Sequence, residues 1–92
     1  MPLLDDFNEY AAKVKTLSAN IVTNEDLLIL YGLFKQSTVG DNTTTRPGFM
    51  DFTGKAKWDA WTKNNGLSTD TAMLQYIRHV QIIVKRETTQ PL

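Results

Sequence analysis

The chain of 92 residues has no cysteine, one histidine, no long apolar run and no excess of either charge. Without cysteine there is neither a disulfide framework nor a thiolate metal site, and a reducing compartment suits the chain. With His79 as its only histidine and no GxSxG, HExxH or phosphate-loop glycine pattern, the sequence offers almost nothing for catalysis, so neither an enzyme nor a cofactor is expected. No apolar stretch approaches the roughly 18 to 20 residues that a membrane span requires, so stable membrane insertion is not expected. The N-terminal MPLLDDFNEY places acids where a signal peptide would carry a basic flank, and the expected location is the cytoplasm. Ten Lys plus Arg balance ten Asp plus Glu, which argues against a general nucleic-acid or anionic-membrane binder; any anion site must be local.

What is present is the composition of an ordinary small globular protein, 41% hydrophobic and 22% charged. A chain this short supports one core, so residues 1–92 are read as a single domain. Leu4, Phe7, Tyr10, Ala11, Val14 and Leu17 follow the three-and-four spacing of a first helix, with acids toward its start and lysines toward its end. Thr23 is placed to cap a second helix running to about Ser37. Its LLILYGLF segment spreads apolar residues around most of the circumference, either because neighbours pack on several sides or because part of the surface lines an apolar ligand cavity. Positions 38–51 read as a long loop containing the turns Gly40-Asp41-Asn42 and Arg46-Pro47-Gly48. A short third helix is predicted over about 54–64, and a fourth opens at Ser68 and Asp70 with Ala72, Met73, Tyr76, Ile77, Val80, Ile83 and Val84 on one face. Residues 88–92 are expected to fray. The fold class is all-α, a bundle of four helices with a long loop between the second and third.

His79 falls off the apolar stripe and reads as a solvated surface histidine. Asp51 reads as a residue opening the third helix, and Asp59 as a surface charge. Trp58 and Trp61, three apart, read first as core anchors, with nucleobase stacking as the alternative. Lys35 lies one turn beyond Tyr31, Lys57 stands beside the tryptophans, and Lys15 ends the first helix. Spacing alone favours lysines scattered on a solvated surface over three lysines converging on one phosphate, with Tyr31 and Tyr76 facing a planar base.

One stretch resolves that choice. Tyr31, Phe34-Lys35-Gln36-Ser37-Thr38, Gly40-Asp41, Arg46-Pro47-Gly48, Asp51 and Lys55-Ala56-Lys57-Trp58-Asp59-Ala60-Trp61 resemble the signature of the acyl-CoA-binding protein family. Phe7, Ala11, Val14, Lys15 and Leu17 resemble that family's first helix, and Ala72-Met73 with Tyr76-Ile77 its fourth. The resemblance implies an up-down-down-up bundle that binds long-chain fatty acyl-CoA without covalent chemistry, one per monomer. It further implies that Lys15, Tyr31, Lys35, Lys57 and Tyr76 hold the head group, the 3′-phosphate going mainly to Tyr31, Lys35 and Lys57. Leu27 and Leu28 match positions near the acyl chain and pantetheine, and Tyr10 and Ala11 fall in the segment beside the ligand. Phe34 stands where many members have tyrosine, keeping an aromatic face and losing a hydroxyl; Leu27 replaces a common methionine. The rival reading is a helical module that docks a partner protein through the Trp58–Trp61 region or the second helix.

Overall fold

The structure is a computed structural model that describes residues 2–89. Four helices follow one another: α1 (Leu3–Val14), α2 (Asn24–Thr38), α3 (Phe52–Thr62) and α4 (Thr69–Thr89). α2, α3 and α4 each start at a side-chain cap. Thr23 and Asp26 form a reciprocal capping box at α2, each side chain accepting from the other's backbone N–H at 3.0 Å. Asp51 accepts from Gly54 N at 2.9 Å to open α3, and Ser68 Oγ accepts from Thr71 N at 3.1 Å to open α4. α3 therefore begins two residues earlier than apolar spacing predicts, because the Asp51 cap, rather than Gly54, sets its start. At the other end, α4 continues through Thr89, so residues 88 and 89 are helical; residues 90–92 lie outside the described residues.

Residue pairing fixes the directions. Tyr31 meets Lys57 and Lys35 meets Trp61, both partners advancing together, so α2 and α3 run parallel. Asp26 meets Arg86 while Phe34 meets Tyr76, so α4 runs against α2. Phe7 meets Tyr76 and Tyr10 meets Gln81, so α1 runs with α4. This is an up-down-down-up bundle. A parallel α2–α3 pair obliges the connection to travel back along α3, about 16 Å for its 11 residues. That return explains the long loop at 39–51.

The loop is fastened rather than loose. The indole N–H of Trp61 donates to Gly40 O at 2.8 Å and that of Trp58 to Thr44 O at 3.0 Å. Arg46 forms a two-pronged pair with Asp59, at 3.0 and 2.8 Å. Buried Asn42 donates to Thr62 Oγ1, and its backbone N–H donates to Asn65 Oδ1. Buried Gln36 donates to Asp41 Oδ1 and to Leu67 O, tying α2 to the α2–α3 and α3–α4 loops. Thus Trp61 is the core anchor that its spacing suggests, whereas Trp58 is half-buried. Both bind the loop as well.

α2 is the central element. Its backbone comes close to both α3 and α4, whereas that of α1 comes close to α4 alone. The core consists of Phe7, Ile21, Leu30, Leu33, Tyr76, Val80 and Ile83. Gly32 permits a close α2–α3 approach: a Cβ there would lie 2.7 Å from the Ala60 carbonyl carbon. His79 departs from its sequence reading. It is largely covered, its Nε2 2.9 Å from Asp26 Oδ1, in a cluster where Arg86 also meets Asp26 at 2.6 Å. The sequence hides this because Asp26 comes from the α2 cap, 53 residues away.

Candidate functional site

Among the described residues, α1 and α2 have no close backbone approach; both lean on α4 and leave a gap between them. Phe7 and Phe34 bridge one end of the gap with stacked rings 5.6 Å apart, and Tyr76 rises from α4 against Phe7 at 5.0 Å. The rest is a groove of about 490 Å³ lined by Asn8, Ala11, Ala12 and Val14 from α1 with its C-cap Lys15, Leu27, Leu30, Tyr31 and Phe34 from α2, and Tyr76. A second groove, about 480 Å³, lies between α2 and α3, lined by Asn24, Leu27, Leu28, Tyr31, Phe52, Thr53, Ala56 and Lys57. Leu27 and Tyr31 line both. They form the ridge over which the two grooves adjoin.

The electrostatics are one-sided. Lys57 Nζ stands 5.5 Å from the centre of the Tyr31 ring, and Lys35 Nζ 4.8 Å from that of Trp61. These cation–aromatic contacts hold the ammonium groups in place without neutralising them, that of Lys57 beside the ridge. Among the described residues, no carboxylate forms an ion pair with Lys15, Lys35 or Lys57. The acids near α3 are occupied elsewhere, Asp51 as a cap and Asp59 with Arg46. Burial raises the Tyr76 phenol above its ordinary value, so at neutral pH it remains a hydroxyl that can donate. The arrangement suits an anionic group beside Tyr31, a planar ring against Phe34 and Tyr76, and an apolar chain along Leu27 and Leu28.

Of the residues singled out in the sequence, Lys15, Ala11, Leu27, Leu28, Tyr31, Phe34, Lys57 and Tyr76 line these two grooves. Lys35 is not among the residues lining either groove; its ammonium stands over Trp61. Tyr10 is set apart: it faces a separate groove between α1 and α4, where its hydroxyl accepts from Gln81 Nε2 at 3.1 Å. Sequence reading passed over Asn8, Ala12, Leu30, Phe52 and Ala56. Ala12 and Ala56 carry no signal by type, since their contribution is to be small enough to leave space. Among the described residues, no group of His and acidic side chains could hold a metal ion. Nor is any described helix long and apolar enough to cross a membrane.

The sequence model of the family described as "Acyl CoA binding protein" matches residues 4–80. An acyl-CoA-binding protein of Brassica napus is 53% identical over 97% of this chain and 96% of its own length. One from Ricinus communis is also 53% identical, over 88% of this chain and 89% of its own. Among solved structures, the crystal structure of Oryza sativa acyl-CoA-binding protein 2 superposes with a TM-score of 0.93 at 42% identity, covering 99% of this chain and 100% of that one. That of the acyl-CoA-binding protein from Moniliophthora perniciosa gives 0.88 at 40% identity, covering 98% and 87%. With the family model matched along most of the chain and these relatives aligned nearly end to end, this chain belongs to the acyl-CoA-binding protein family.

Proposed function

We propose that the protein binds long-chain fatty acyl-CoA esters without covalent chemistry, and that it buffers and carries them in the cytoplasm as a monomer. The observation that carries this reading is the ridge at Tyr31, where two apolar grooves meet beside lysines that have no carboxylate partners. In this reading the 3′-phosphate lies among Tyr31, Lys35 and Lys57, the adenine lies against Phe34 and Tyr76 with Lys15 at its rim, and the thioester and chain follow Leu27 and Leu28. Tyr10 is left out of the set, because it faces the other groove. The chain supplies affinity, since each buried methylene is worth about 0.8 kcal/mol before ordering costs. The phosphates supply orientation and distinguish the ester from the free acid.

Calorimetric titration with palmitoyl-CoA, palmitate and CoA tests this directly. Tight binding of the ester and far weaker binding of the other two is expected; equal affinity for all three overturns the reading. Lys57→Ala and Lys35→Ala should each weaken palmitoyl-CoA binding by about 10- to 100-fold, the loss of a charge-assisted phosphate contact, with helical circular dichroism unchanged. Unchanged affinity in both removes the phosphate site.

A further inference from the structure

The largest exposed apolar side chains cluster in one short segment. Phe49, Met50 and Phe52 are 76%, 72% and 70% exposed, at the end of the long loop and the first residue of α3. A protein of this size rarely leaves three large apolar groups together in water unless something covers them. The surrounding charge indicates what that is. From position 44 to 59 the chain carries Arg46, Lys55 and Lys57 against Asp51 and Asp59. Asp59 is held by Arg46 and Asp51 is turned to its own helix, which leaves Lys55 and Lys57 as the cations on this side. Lys55 Nζ lies 5.0 Å from the centre of the Phe52 ring, so a cation sits directly beside the apolar cluster. Exposed rings and a methionine bordered by lysines suit the boundary between acyl chains and anionic head groups better than a partner helix, which would need a continuous apolar stripe. Phe52 also lines the α2–α3 groove, so the cluster lies at the mouth of that groove.

We infer that the Phe49-Met50-Asp51-Phe52 tip, flanked by Lys55 and Lys57, docks the protein transiently on anionic lipid bilayers with the α2–α3 groove opening toward the lipid. The docking stands on the surface alone; its use, to pass an acyl chain between bilayer and groove, rests on the proposed acyl-CoA binding. A net charge of zero keeps the contact weak, local and sensitive to salt. Removing two of the three apolar side chains should therefore abolish it.

The test is flotation of the ligand-free protein with vesicles of phosphatidylcholine alone, or of phosphatidylcholine with about one-third phosphatidylserine, at low and physiological ionic strength. Binding is expected to the anionic vesicles only, reduced by salt, and reduced at least about ten-fold in the double variant Phe49→Ser/Met50→Ser. Neither residue lines a groove, so the double variant should titrate with palmitoyl-CoA in solution as the parent chain does, and that titration also reports its folding. If palmitoyl-CoA fails to bind the parent chain while flotation behaves as described, the carrier reading falls and the docking surface stands. Flotation unaffected by the double substitution, or no flotation of the parent chain, overturns the proposal. A concentration-dependent dimer that the double variant abolishes, with no vesicle binding, overturns it in favour of a second copy covering the patch.

Discussion

Phe34 occupies the seam between core and groove. One side of its ring stacks on Phe7 and the edge of Tyr76 stands nearby, yet 40% of it remains exposed toward the gap between α1 and α2. The sequence indicates both halves of this position, since an aromatic at the family's tyrosine position keeps the stacking face and gives up a hydroxyl. Only the groove shows where that hydroxyl would point. Phe34→Tyr should tighten palmitoyl-CoA binding by about 0.5 to 1.5 kcal/mol, one hydrogen bond, or roughly two- to ten-fold in Kd by calorimetry. An unchanged Kd would mean that the edge of the ring does not reach the ligand. Lys35 and Lys57 teach a related lesson at the same scale. Their spacing suggested dispersed surface charge, because a sequence shows neither the aromatic rings that hold them nor the occupation of nearby acids elsewhere.

Helix starts were legible within about two residues, because caps such as Thr23 and Ser68 act locally, whereas α1 ends at Val14, three residues short of the Leu17 that apolar spacing included. What the sequence concealed is what one helix does to another. Gly32 passes for an indifferent residue in a helix, where alanine would be favoured by about 1 kcal/mol. Between α2 and α3 it is a point of close approach, and a methyl group would press on the backbone of Ala60, which cannot swing away as a side chain could. The clash outweighs the propensity: Gly32→Ala should destabilise the fold by about 1 to 3 kcal/mol in urea denaturation. A stabilised variant would show that the helix pair can separate without cost. Asp26 joins α2 to α4 in the same hidden way. Burial pushes its carboxyl up, but hydrogen bonds from Arg86, the Thr23 backbone and His79 outweigh this and hold it well below the ordinary value of 3.8. Because the folded value is depressed, the stabilisation is fully present at neutral pH and is lost as pH falls through about 4 and below. Asp26→Asn should flatten that part of the stability–pH profile and lower neutral-pH stability by about 1 to 3 kcal/mol, a range set below that of a fully buried pair because Arg86 is partly exposed. A profile as steep as the parent's would assign the acid sensitivity to another carboxylate.

Across the whole molecule, the up-down-down-up order was expected from family resemblance, and periodicity alone carries no direction. Its physical cause is the parallel pairing of α2 and α3, which needs the long loop and the indole and asparagine bonds that fasten it. The same topology gives α1 close backbone approach to α4 alone, with Phe7 on Phe34 as its ring contact to α2, while α2 is held from two sides. The N-cap of α1 is Pro2, which makes no side-chain capping bond. α1 should therefore open most readily, and with its C-cap Lys15 it contributes Ala11 to the groove it shares with α2. A ligand bridging that groove would extend the contact between α1 and α2 beyond the one pair of rings. Palmitoyl-CoA at about 100 times its Kd should stabilise the protein by about 2.7 kcal/mol, raising Tm by roughly 10 °C or more in a domain of this size. The gain should be uneven: hydrogen exchange should show the largest increase in protection along α1, and a smaller one in α4 beyond Val80. Palmitate, which has no phosphates to offer the lysines of the proposed site, should raise Tm far less. Equal protection of all four helices would mean that the bound molecule stabilises the fold only globally and does not close the gap between α1 and α2.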